Sequence, residues 1–564
     1  AKPSVTVEGI AQDKIAGIAK VLVNGKEATL GPDGSFSQIL VPVWGLNILV
    51  VEAIDGSGAS TKVKQSFYFA ETYYPIEPSP SLVPDAFKLW ISEEFIDDGV
   101  HNPNHVDDLA TILEVMLLDL DLSGALSSQN IGAGYSLHMN NLSFNPPKVS
   151  LKPMDGGLHM KLEVKNLYLG VKLKGVCKVF GIDLCPDFSG SVKVTKATIH
   201  ADFFVSASKG VTNSYLGNVS VSLDNLDLDI NGILGWLFDW LIDFVVGFFV
   251  DDIEDAFEDA VKDEMGDLIG GLFEELAFSE TFELDGLFPG MEPVSLTFDT
   301  SIWSASFTPK GGRIGLGGTF LATKKVPQKI LGSIARGTCL KGYPVNYQLP
   351  GQQEFEVGLF DDFLNLALTA AWMSGALNLV MDKEMISGDG DVAFGGLPVD
   401  DLSLALTFLL PPIVNGCNPD GIIMFQIGDL FLDAELHSFL FEGGVGKIGA
   451  YLALELSVEF LLVEGDDGPQ ISVVVNGLET IEFHWEYVPV EFLGNEDVLE
   501  DIIMDQLMDK LLAELVGESL GEFEIPEIDL GSILNPDGAG VSIKPAIDAF
   551  SRVGGHTIVQ GYLE

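Results

Sequence analysis

Basic residues are scarce in this sequence. Among 564 residues, 30 are Lys or Arg and 83 are Asp or Glu, which gives a formal net charge of −53. Lys and Arg supply the attraction to phosphate, so the composition argues against nucleic-acid binding and against an electrostatic hold on anionic membranes. A soluble acidic surface is the simplest interpretation, and adaptation to high ionic strength or divalent cations is the alternative.

Cysteine is also scarce, and the four cysteines are Cys177, Cys185, Cys339 and Cys417. No two of them have the C-x-x-C spacing of zinc sites or thioredoxin-like redox sites, so neither is expected. The sequence VCKVFGIDLC favours a local disulfide between Cys177 and Cys185, which would leave Cys339 to pair with Cys417. The even number fits an oxidising compartment, and four buried free thiols are the alternative.

A long apolar run free of charges is missing as well. The stretch from Gly232 to Val250 comes nearest, but Asp239 and Asp243 interrupt it. An Asp at the centre of a bilayer costs about 2.5–3.5 kcal/mol, which disfavours a membrane span. Apolar residues continue at helical spacing to Leu276, so we predict one long soluble helix, or two with a kink near Gly266, with a wide apolar face. Either ordinary core or a bound lipid would have to cover that face.

Motifs for covalent chemistry are absent from the sequence: it contains no G-x-S-x-G, H-E-x-x-H or Walker sequence. The pattern G-x-G-x-x-G occurs at residues 444–449, but a strand-like alternation follows it where a dinucleotide site needs a helix. We therefore expect no enzyme activity, no metal centre and no cofactor. Short acidic loops at Ser387 and Glu464 are candidates for Ca²⁺, although neither has the EF-hand register.

The first 71 residues have the pattern of a β-sandwich. Short alternating segments are separated by the turn pairs Asn24-Gly25, Asp33-Gly34 and Asp55-Gly56, which predicts an antiparallel sandwich. The order V-N-G, D-G-x-F and N-x-(I/L)-x-V-x-A-x-D resembles a bacterial immunoglobulin-like repeat. That resemblance implies a spacer or an adhesive surface. The proline-rich residues 72–84 predict a linker.

Residues 85–564 show one order of elements twice, namely a helix, long alternating strands and a long helix. Within the strands the apolar alternation shifts by one residue. Apolar residues alternate from Leu158 to Val164, and the alternation resumes with the other parity after Asn166. Similar breaks occur at Asn140-Asn141-Leu142, Asp224-Asn225-Leu226 and Asn476-Gly477-Leu478. These shifts predict β-bulges in long, bent antiparallel strands.

The segment VGLFDDFLNLALTAAWMSGALNL resembles the helix that opens the second barrel in the tubular lipid-binding superfamily. The matching positions are Leu359, Asp362, Phe363, Leu364, Asn365, Leu368, Gly375 and Leu377. With the order of elements and the carboxyl end VSIKPAIDAFSRVGGHTIVQGYLE, the resemblance is to the two-barrel family typified by bactericidal/permeability-increasing protein. It covers residues 85–564 and implies an α+β fold. The expected body is elongated and consists of two helix-plus-curved-antiparallel-sheet barrels behind the all-β immunoglobulin-like sandwich.

The resemblance implies a first lipid-binding barrel at residues 85–300, and a central sheet with a second barrel at residues 301–564. Members of the family hold phospholipid or other amphiphiles in a pocket of each barrel and perform no covalent chemistry. We therefore expect an extracytoplasmic lipid-binding protein of the periplasm, the cell surface or the secreted fraction, with lipid transfer and transient membrane contact as extensions. The alternative is a non-catalytic structural or adhesive surface protein whose barrels are filled cores.

Four predicted helices supply the candidate lipid contacts. These are Leu109, Ile112, Leu113 and Met116 on a helix that begins near Val106; Trp236, Trp240, Phe244 and Phe248; Leu359, Phe363, Leu364, Ala367, Leu368 and Ala371 on a helix from Val357 to Leu379; and Ile502, Ile503, Leu507 and Leu511. Small residues such as Ala367 and Ala371 would leave room beside their helix, which a tightly packed core would fill.

One segment departs from the acidic composition. Residues 301–350 contain seven Lys or Arg and no Asp or Glu. The basic residues are Lys310, Arg313, Lys324, Lys325, Lys329, Arg336 and Lys341. A basic ridge for anionic headgroups is one interpretation. We favour the other, in which these charges pair with the protein's own carboxylates where its two halves meet. Lipopolysaccharide-binding members of the family use a cationic tip on the first barrel, and the acidic first half here argues against that route.

Overall fold

A computed structural model describes most of this chain. The described residues are 3–76, 82–102, 106–117, 129–132, 135–175, 178–179, 182–183, 185–230, 279–284, 293–323, 325–327, 333–337, 348–383, 393–394, 397–416, 422–465, 468–503, 519–524, 528–529, 542–543, 545–553 and 555–563.

The amino-terminal module consists of two antiparallel sheets. Its strands are β1 (Val5–Ile10), β2 (Ile18–Val23), β3 (Lys26–Glu27), β4 (Thr29–Leu30), β5 (Ser35–Leu40), β6 (Gly45–Asp55) and β7 (Ser60–Phe69). One sheet has the order β1-β5-β4, and the other has the order β3-β2-β6-β7. Val21, Val23, Ala28 and Phe36 form the buried core, against partly buried side chains of both sheets. The predicted antiparallel sandwich is confirmed.

The remaining elements follow in chain order. The first group is β8 (Tyr73–Pro75), β9 (Val83–Ser92), α1 (Glu93–Ile96), α2 (Leu109–Met116), β10 (Gln129–Gly132), β11 (Tyr135–Ser143), β12 (Lys148–Met154), β13 (Gly157–Gly175), β14 (Lys178–Val179), β15 (Ile182–Asp183), β16 (Phe188–Ser208), β17 (Val211–Ile230), β18 (Ser279–Leu284), β19 (Val294–Thr308), β20 (Gly311–Ala322) and β21 (Ser333–Ala335). The second group is β22 (Phe355–Phe360), α3 (Asp361–Ser374), β23 (Leu379–Asp382), β24 (Ala393–Phe394), β25 (Leu397–Pro398), β26 (Asp401–Phe408), β27 (Ile413–Asn415), β28 (Ile423–His437), a 3₁₀ turn (Glu442–Gly444), β29 (Val445–Gly465), β30 (Gly468–Tyr487), a second 3₁₀ turn (Val490–Phe492), α4 (Glu496–Ile503), β31 (Ser519–Glu524), β32 (Ile528–Asp529), β33 (Ser542–Ile543), β34 (Pro545–Val553) and β35 (His556–Leu563).

Two large antiparallel sheets dominate the described part of the chain. The first large sheet has thirteen described strands along the path β10-β11-β13-β16-β19-β20-β9-β22-β35-β34, with β12, β17 and β18 paired beside it. The second large sheet has seven described strands along the path β23-β26-β28-β29-β30-β31, with β27 paired to β28. The first large sheet therefore joins β9 and β20 to strands from the carboxyl-terminal part. The predicted domain boundary between residues 300 and 301 falls inside β19.

The predicted α+β fold of two helix-plus-sheet barrels is wrong. In the described part of the chain the structure is mostly β, with few and short helices, and it contains multiple antiparallel sheets. The physical reason is the length of the strands, because β16 and β29 have 21 residues each, whereas α3, the longest described helix, has 14. The predicted long helix at residues 232–276 lies outside the described residues. None of the described helices is both long and apolar enough to cross a bilayer.

The helix predicted from Val357 to Leu379 is shorter than expected. Residues Phe355–Phe360 form β22, because their backbone pairs with both β9 and β35 and their alternate side chains are buried. Helix α3 therefore starts only at Asp361. It ends at Ser374 because Gly375 adopts the left-handed conformation, with φ 84°, that commonly closes a helix.

The predicted parity shift in β13 is confirmed and continues across three strands. Asn166 and Asn225 both have φ 54°, and the register places Thr195 of β16 between them. Apart from Gly157 and Gly170, the buried residues of β13 are even-numbered up to Val164 and odd-numbered from Leu167 onward. We call this row of three residues, Asn166, Thr195 and Asn225, the crease. It changes which residues face the core in all three strands at the same level.

The other predicted breaks are also confirmed. Asn141 has φ 54°, and the register of β11 with β13 shifts between Asn140 and Ser143. In the second large sheet, the register of β29 with β30 shifts between Ser457 and Val458, where Gly477 lies opposite. Each break is thus a bulge that bends a long strand.

The amino-terminal module is docked on the second large sheet at a bulge in β28. At this bulge Asp429 has φ 48°, and the register with β29 shifts between Ile427 and Leu430. Hydrogen bonds that cross the interface run from Ser66 N to Asp429 Oδ1 at 2.8 Å, from Leu46 N to Gln426 Oε1 at 3.0 Å, and from Gly428 N to the Tyr68 hydroxyl oxygen at 2.8 Å. Gln426 and Ser66 are buried in this contact.

Candidate functional site

The candidates on α2 pack against the first large sheet. Leu109, Ile112 and Leu113 are buried in one apolar cluster with side chains of β11, β12, β13 and β16. Asp108 starts the helix, because its carboxylate accepts a hydrogen bond from Thr111 N at 2.6 Å. The side chain of Met116 lies outside the described residues. The three described candidates therefore contact the protein's own strands.

Beside this cluster, β17 carries a strip of partly exposed apolar side chains. The strip consists of Leu216, Val219, Val221, Leu223, Leu226 and Leu228, which pack against the same cluster. The alternate residues, such as Ser220 and Ser222, are exposed on the opposite face. At about 3.3 Å per residue the strip is about 40 Å long. That length exceeds one lipid leaflet, which is about half of the ~30 Å hydrocarbon core of a bilayer.

The β17 strip is not among the predicted lipid contacts, although its signal is present in the sequence. In VSVSLDNLDLDI, residues 219–230, Val and Leu alternate with Ser and Asp and change parity at Asn225. The predicted lipid contacts all lie on predicted helices, and this alternation is interpreted only as a β-bulge. Within the described strands, β17 pairs only with β16, so one of its edges has no described partner strand.

The candidate residues of β22 and α3 differ in how far they are buried. Phe363 and Ala371 are buried, and Leu359 and Ala367 are partly buried, in a cluster that also contains Phe87, Phe298 and Phe320. The ring centroids of Phe363 and Phe87 are 4.7 Å apart. Leu364, Ala367 and Leu368 remain partly exposed, and their spacing places them on one side of the helix. We call these three residues the α3 stripe.

The remaining candidates are described only in part. Ile503 is buried with Leu499 in the apolar cluster of the second large sheet. The side chain of Ile502 and residues Leu507 and Leu511 lie outside the described residues, as do Trp236, Trp240, Phe244 and Phe248. The described candidates thus fall into three separate clusters: one with α2, one with α3 and one with α4.

A buried polar network holds the amino-terminal end of α3. Asp361, Asp362 and Asn365 are all fully buried. The Asp361 carboxylate accepts two hydrogen bonds from Arg552, from Nη1 at 2.8 Å and from Nη2 at 2.9 Å. The Asn365 side chain donates to the carbonyl oxygens of Ala335 and Val414 and accepts from Val414 N. The polar positions of the family-like segment therefore anchor the helix.

Asp362 connects α3 to the linker and to the basic segment. Its carboxylate accepts hydrogen bonds from Arg336 Nε at 3.1 Å, from Gly337 N at 2.8 Å and from the Tyr74 hydroxyl at 3.0 Å. Burial raises the pKa of Asp362 to about 6, although Arg336 and these donors oppose the shift. Burial likewise raises the pKa of Asp361 against the opposing effect of Arg552. Both carboxyl groups serve the packing of α3.

Arg336 pairs with the protein's own carboxylate Asp362, as the favoured interpretation predicts, but both residues belong to residues 301–564, so this pair does not join the two predicted halves. Arg313 instead lies over the Trp90 ring, with its guanidinium carbon 4.4 Å from the ring centroid. Lys310 and Lys325 are exposed. Lys324, Lys329 and Lys341 lie outside the described residues.

Cys185 forms a disulfide bond. Cys177, Cys339 and Cys417 lie outside the described residues. Near the last two, the chain comes together at Gly337 and Gly416, because Gly416 N donates a hydrogen bond to Gly337 O at 2.7 Å. That contact is compatible with a bond between Cys339 and Cys417, which stays a prediction.

One acidic cluster has the spacing of cation ligands. Oxygen atoms of Asp98, Asp107 and Asp108 lie within 4.8 Å of one another. Asp108 already caps α2 and accepts a hydrogen bond from Asp98 N at 2.9 Å. Burial raises the pKa of Asp108, against the opposing hydrogen bond from Thr111 N. Of the two predicted Ca²⁺ loops, the one at Ser387 lies outside the described residues, and Glu464 lies at the end of β29.

Among solved structures, two chains illustrate what this chain is similar to. A lipopolysaccharide binding protein is 14% identical, with a TM-score of 0.36, and the match covers 86% of this chain and 99% of that one. P47 of Clostridium botulinum E1 is 10% identical, with a TM-score of 0.28, and the match covers 86% of this chain and 100% of that one. No curated protein matches the chain. Residues 1–69 match the family model of glucodextranase domain B, in agreement with the two-sheet module observed there.

Proposed function

We propose that the protein binds an amphiphilic lipid, with an acyl chain lying along the β17 strip. The observation that carries the proposal is the strip itself, six apolar side chains in one row that are only partly covered. Water contact with such a row is unfavourable by about 25 cal/mol per Å² of apolar surface, so a hydrocarbon chain laid along it would be stabilised. A cofactor or a catalytic reaction is not part of this proposal.

The α3 stripe provides a second surface of partly exposed apolar side chains. Leu364 and Leu368 are partly exposed, and Ala367 between them is small. The stripe lies beside the aromatic cluster around Phe363, so a chain bound there would meet protein carbon on its inner side. Two such surfaces suit a protein that carries lipid through water, and we propose lipid transfer as its extended role.

We place this activity outside the cytoplasm, because Cys185 is disulfide-bonded and disulfides persist in oxidising compartments. The net charge of −53 supports a free, soluble carrier that does not bind nucleic acid.

Lipid content of a strip variant tests the proposal. In the variant, Leu223→Asp and Leu226→Asp place two carboxylates where the acyl chain would lie. Protein purified without detergent is analysed by native mass spectrometry, and its lipids are extracted and counted. We expect the wild-type protein to carry lipid and the variant to lose about tenfold or more of it, since an unpaired carboxylate in an apolar site is costly.

The matched control carries Ser220→Asp and Ser222→Asp, which put the same two charges on the exposed face of the same strand. It should keep its lipid. If the strip variant does not fold, Leu226→Ala replaces it, with a smaller expected loss. Lipid-free wild-type protein, or equal lipid in strip and control variants, would show that β17 holds no lipid.

A further inference from the structure

Two loops at one end of the second large sheet present exposed apolar side chains. One loop, residues 438–444, connects β28 to β29, and the other, residues 488–495, connects β30 to α4. The apolar tip, as we call it, consists of Phe439, Leu440, Val490 and Leu493, which are 76%, 43%, 59% and 61% exposed. Such large apolar side chains gathered on adjoining loops are unusual on a surface that faces only water.

The two loops are hydrogen-bonded to each other and pack on the apolar cluster of the second large sheet. Glu442 N in the first loop donates a hydrogen bond to Glu491 Oε1 in the second at 2.8 Å. Below the tip, the rings of Phe441 and Phe492 have centroids 6.5 Å apart. Phe441 is buried in the cluster of the second large sheet, and Phe492 packs against that cluster. The tip residues therefore project from fixed loops.

The same cluster links the tip to a predicted lipid contact. Leu499 and Ile503 of α4 are buried in it together with Phe441. Ile503 is one of the residues that the sequence assigns to a lipid-contacting helix. The loops that carry the tip are therefore anchored in the same apolar cluster as α4.

The backbone of both loops is largely bonded within the loops. Ser438 N donates to Gly444 O at 3.1 Å, Phe441 N to Ser438 O at 3.3 Å and Gly444 N to Phe441 O at 2.9 Å. In the other loop, Phe492 N donates to Pro489 O at 3.0 Å and Leu493 N to Val490 O at 3.3 Å. An unbonded backbone group costs several kcal/mol in hydrocarbon, so internal bonds of this kind are what entry into an apolar phase requires.

The charged residues around the tip determine which lipid headgroups it can approach. Glu442, Glu491 and Asp497 are exposed beside it, and residues 438–446 and 488–503 contain no Lys or Arg. Anionic lipid headgroups would be repelled by these carboxylates, whereas zwitterionic headgroups would not.

We infer that the apolar tip inserts into the surface of a zwitterionic lipid assembly. This inference rests on the proposed function, since a lipid carrier must touch the assembly that supplies or receives its ligand. Phe439 and Leu493 contribute most of the inserted area, because they are the most exposed of the four. Aromatic and leucine side chains on a fixed loop are suited to the boundary between headgroups and acyl chains.

Vesicle flotation tests the inference. Full-length protein is mixed with vesicles of phosphatidylcholine, or with vesicles in which phosphatidylglycerol replaces part of it, and the floated fraction is measured. We expect binding to the first kind, and weaker binding as phosphatidylglycerol is added. Phe439→Ser combined with Leu493→Ser should lower the partition onto phosphatidylcholine about tenfold or more, because two exposed side chains lose their apolar contact.

The control variant carries Val211→Ser and Tyr215→Ser, which remove two side chains that are 72% and 54% exposed at the β16–β17 hairpin. It should float like the wild-type protein. Equal flotation of the tip variant and the wild type, or stronger wild-type binding to vesicles containing phosphatidylglycerol, would overturn the inference. A monomer–dimer equilibrium that the tip substitutions abolish, without vesicle binding, would also overturn it and identify a second copy as the occupant.

Lipid content is measured on the same tip variant by native mass spectrometry. Wild-type protein that carries lipid but does not float would refute the docking inference and leave the proposed function intact. Protein without lipid would instead contradict the proposed function.

Discussion

At the scale of single residues, His101 links α1 and α2 to strand β12 of the first large sheet. Its Nδ1 lies 2.7 Å from Glu114 Oε1 on α2, and its Nε2 lies 3.3 Å from Asp97 Oδ1 after α1. Those carboxylates accept hydrogen bonds from backbone N–H groups of β12 at 2.8 Å. Desolvation lowers the pKa of His101, but the charge of Glu114, with smaller effects of Asp97 and Asp108, outweighs it and raises the pKa above its ordinary 6.5.

We predict that His101→Asn destabilises the protein in a pH-dependent way. A raised folded-state pKa contributes stability that is fully present below the ordinary value of 6.5 and is lost as pH rises through the folded-state pKa. The variant should therefore lose more of its unfolding free energy at about pH 5 than at about pH 8. Urea unfolding at both pH values measures this difference.

His437→Asn is the matched control, because His437 is exposed at the end of β28. Its unfolding free energy should change by less than about 0.5 kcal/mol at either pH. An equal loss at both pH values for His101→Asn would mean that the imidazolium charge contributes nothing.

At the scale of elements, α3 offers two alanines one turn apart that differ in exposure. Both pack with the aromatic cluster, but Ala367 is partly exposed in the α3 stripe, whereas Ala371 is buried. The two positions lie on the same side of the helix and differ in exposure, so they should differ in how much added volume they can accept.

We predict that Ala371→Trp costs about 1–3 kcal/mol of unfolding free energy by overpacking, whereas Ala367→Trp costs less than about 0.5 kcal/mol. The indole at position 367 should also displace bound lipid from the stripe. Chemical unfolding and lipid content of the two variants check both statements. A similar large loss in both variants would show that the stripe is closely packed.

The elements also show what the sequence could and could not predict. The parity changes at Asn166, Asn225 and Gly477 could be predicted, because alternation is a local pattern and a slip in it has one geometric meaning. The start of α3 could not, because Phe355–Phe360 is followed directly by helical spacing and becomes a strand only through its pairing with β9 and β35. The α+β class was wrong for a related reason: long bent strands outweigh short helices.

At the scale of the whole molecule, pairing between distant segments determines the architecture. Strand β9 lies between β20 and β22, which come more than two hundred residues later in the chain. Backbone pairing of this kind leaves no local signal in a sequence. The β17 strip could have been found, because its alternation is local, but its place beside the core depended on the sheet order. The docking of the amino-terminal module on β28 could not be predicted either, because it also depends on contacts between distant segments.

We predict that Gln426→Ala loosens the amino-terminal module. The substitution removes the buried acceptor of Leu46 N and should cost about 1–3 kcal/mol at the interface. Amide hydrogen exchange of residues 44–47 and 66–69 should accelerate, while exchange at Val21 and Val23 in the core of the module stays unchanged. The exposed Gln12 provides the control variant Gln12→Ala. Unchanged exchange in residues 44–47 would mean that the module is held by other contacts.

The crease limits which insertions and deletions the strands of the first large sheet can accept. Deleting Asn166 alone would shift every later residue of β13 by one position against β16, so that Leu167 would lie opposite Thr195 and no longer opposite Val194. The core-facing residues of one strand would then sit beside the outward-facing residues of the next. Insertions and deletions must therefore occur in β13, β16 and β17 together, or be confined to the hairpin turns that connect them.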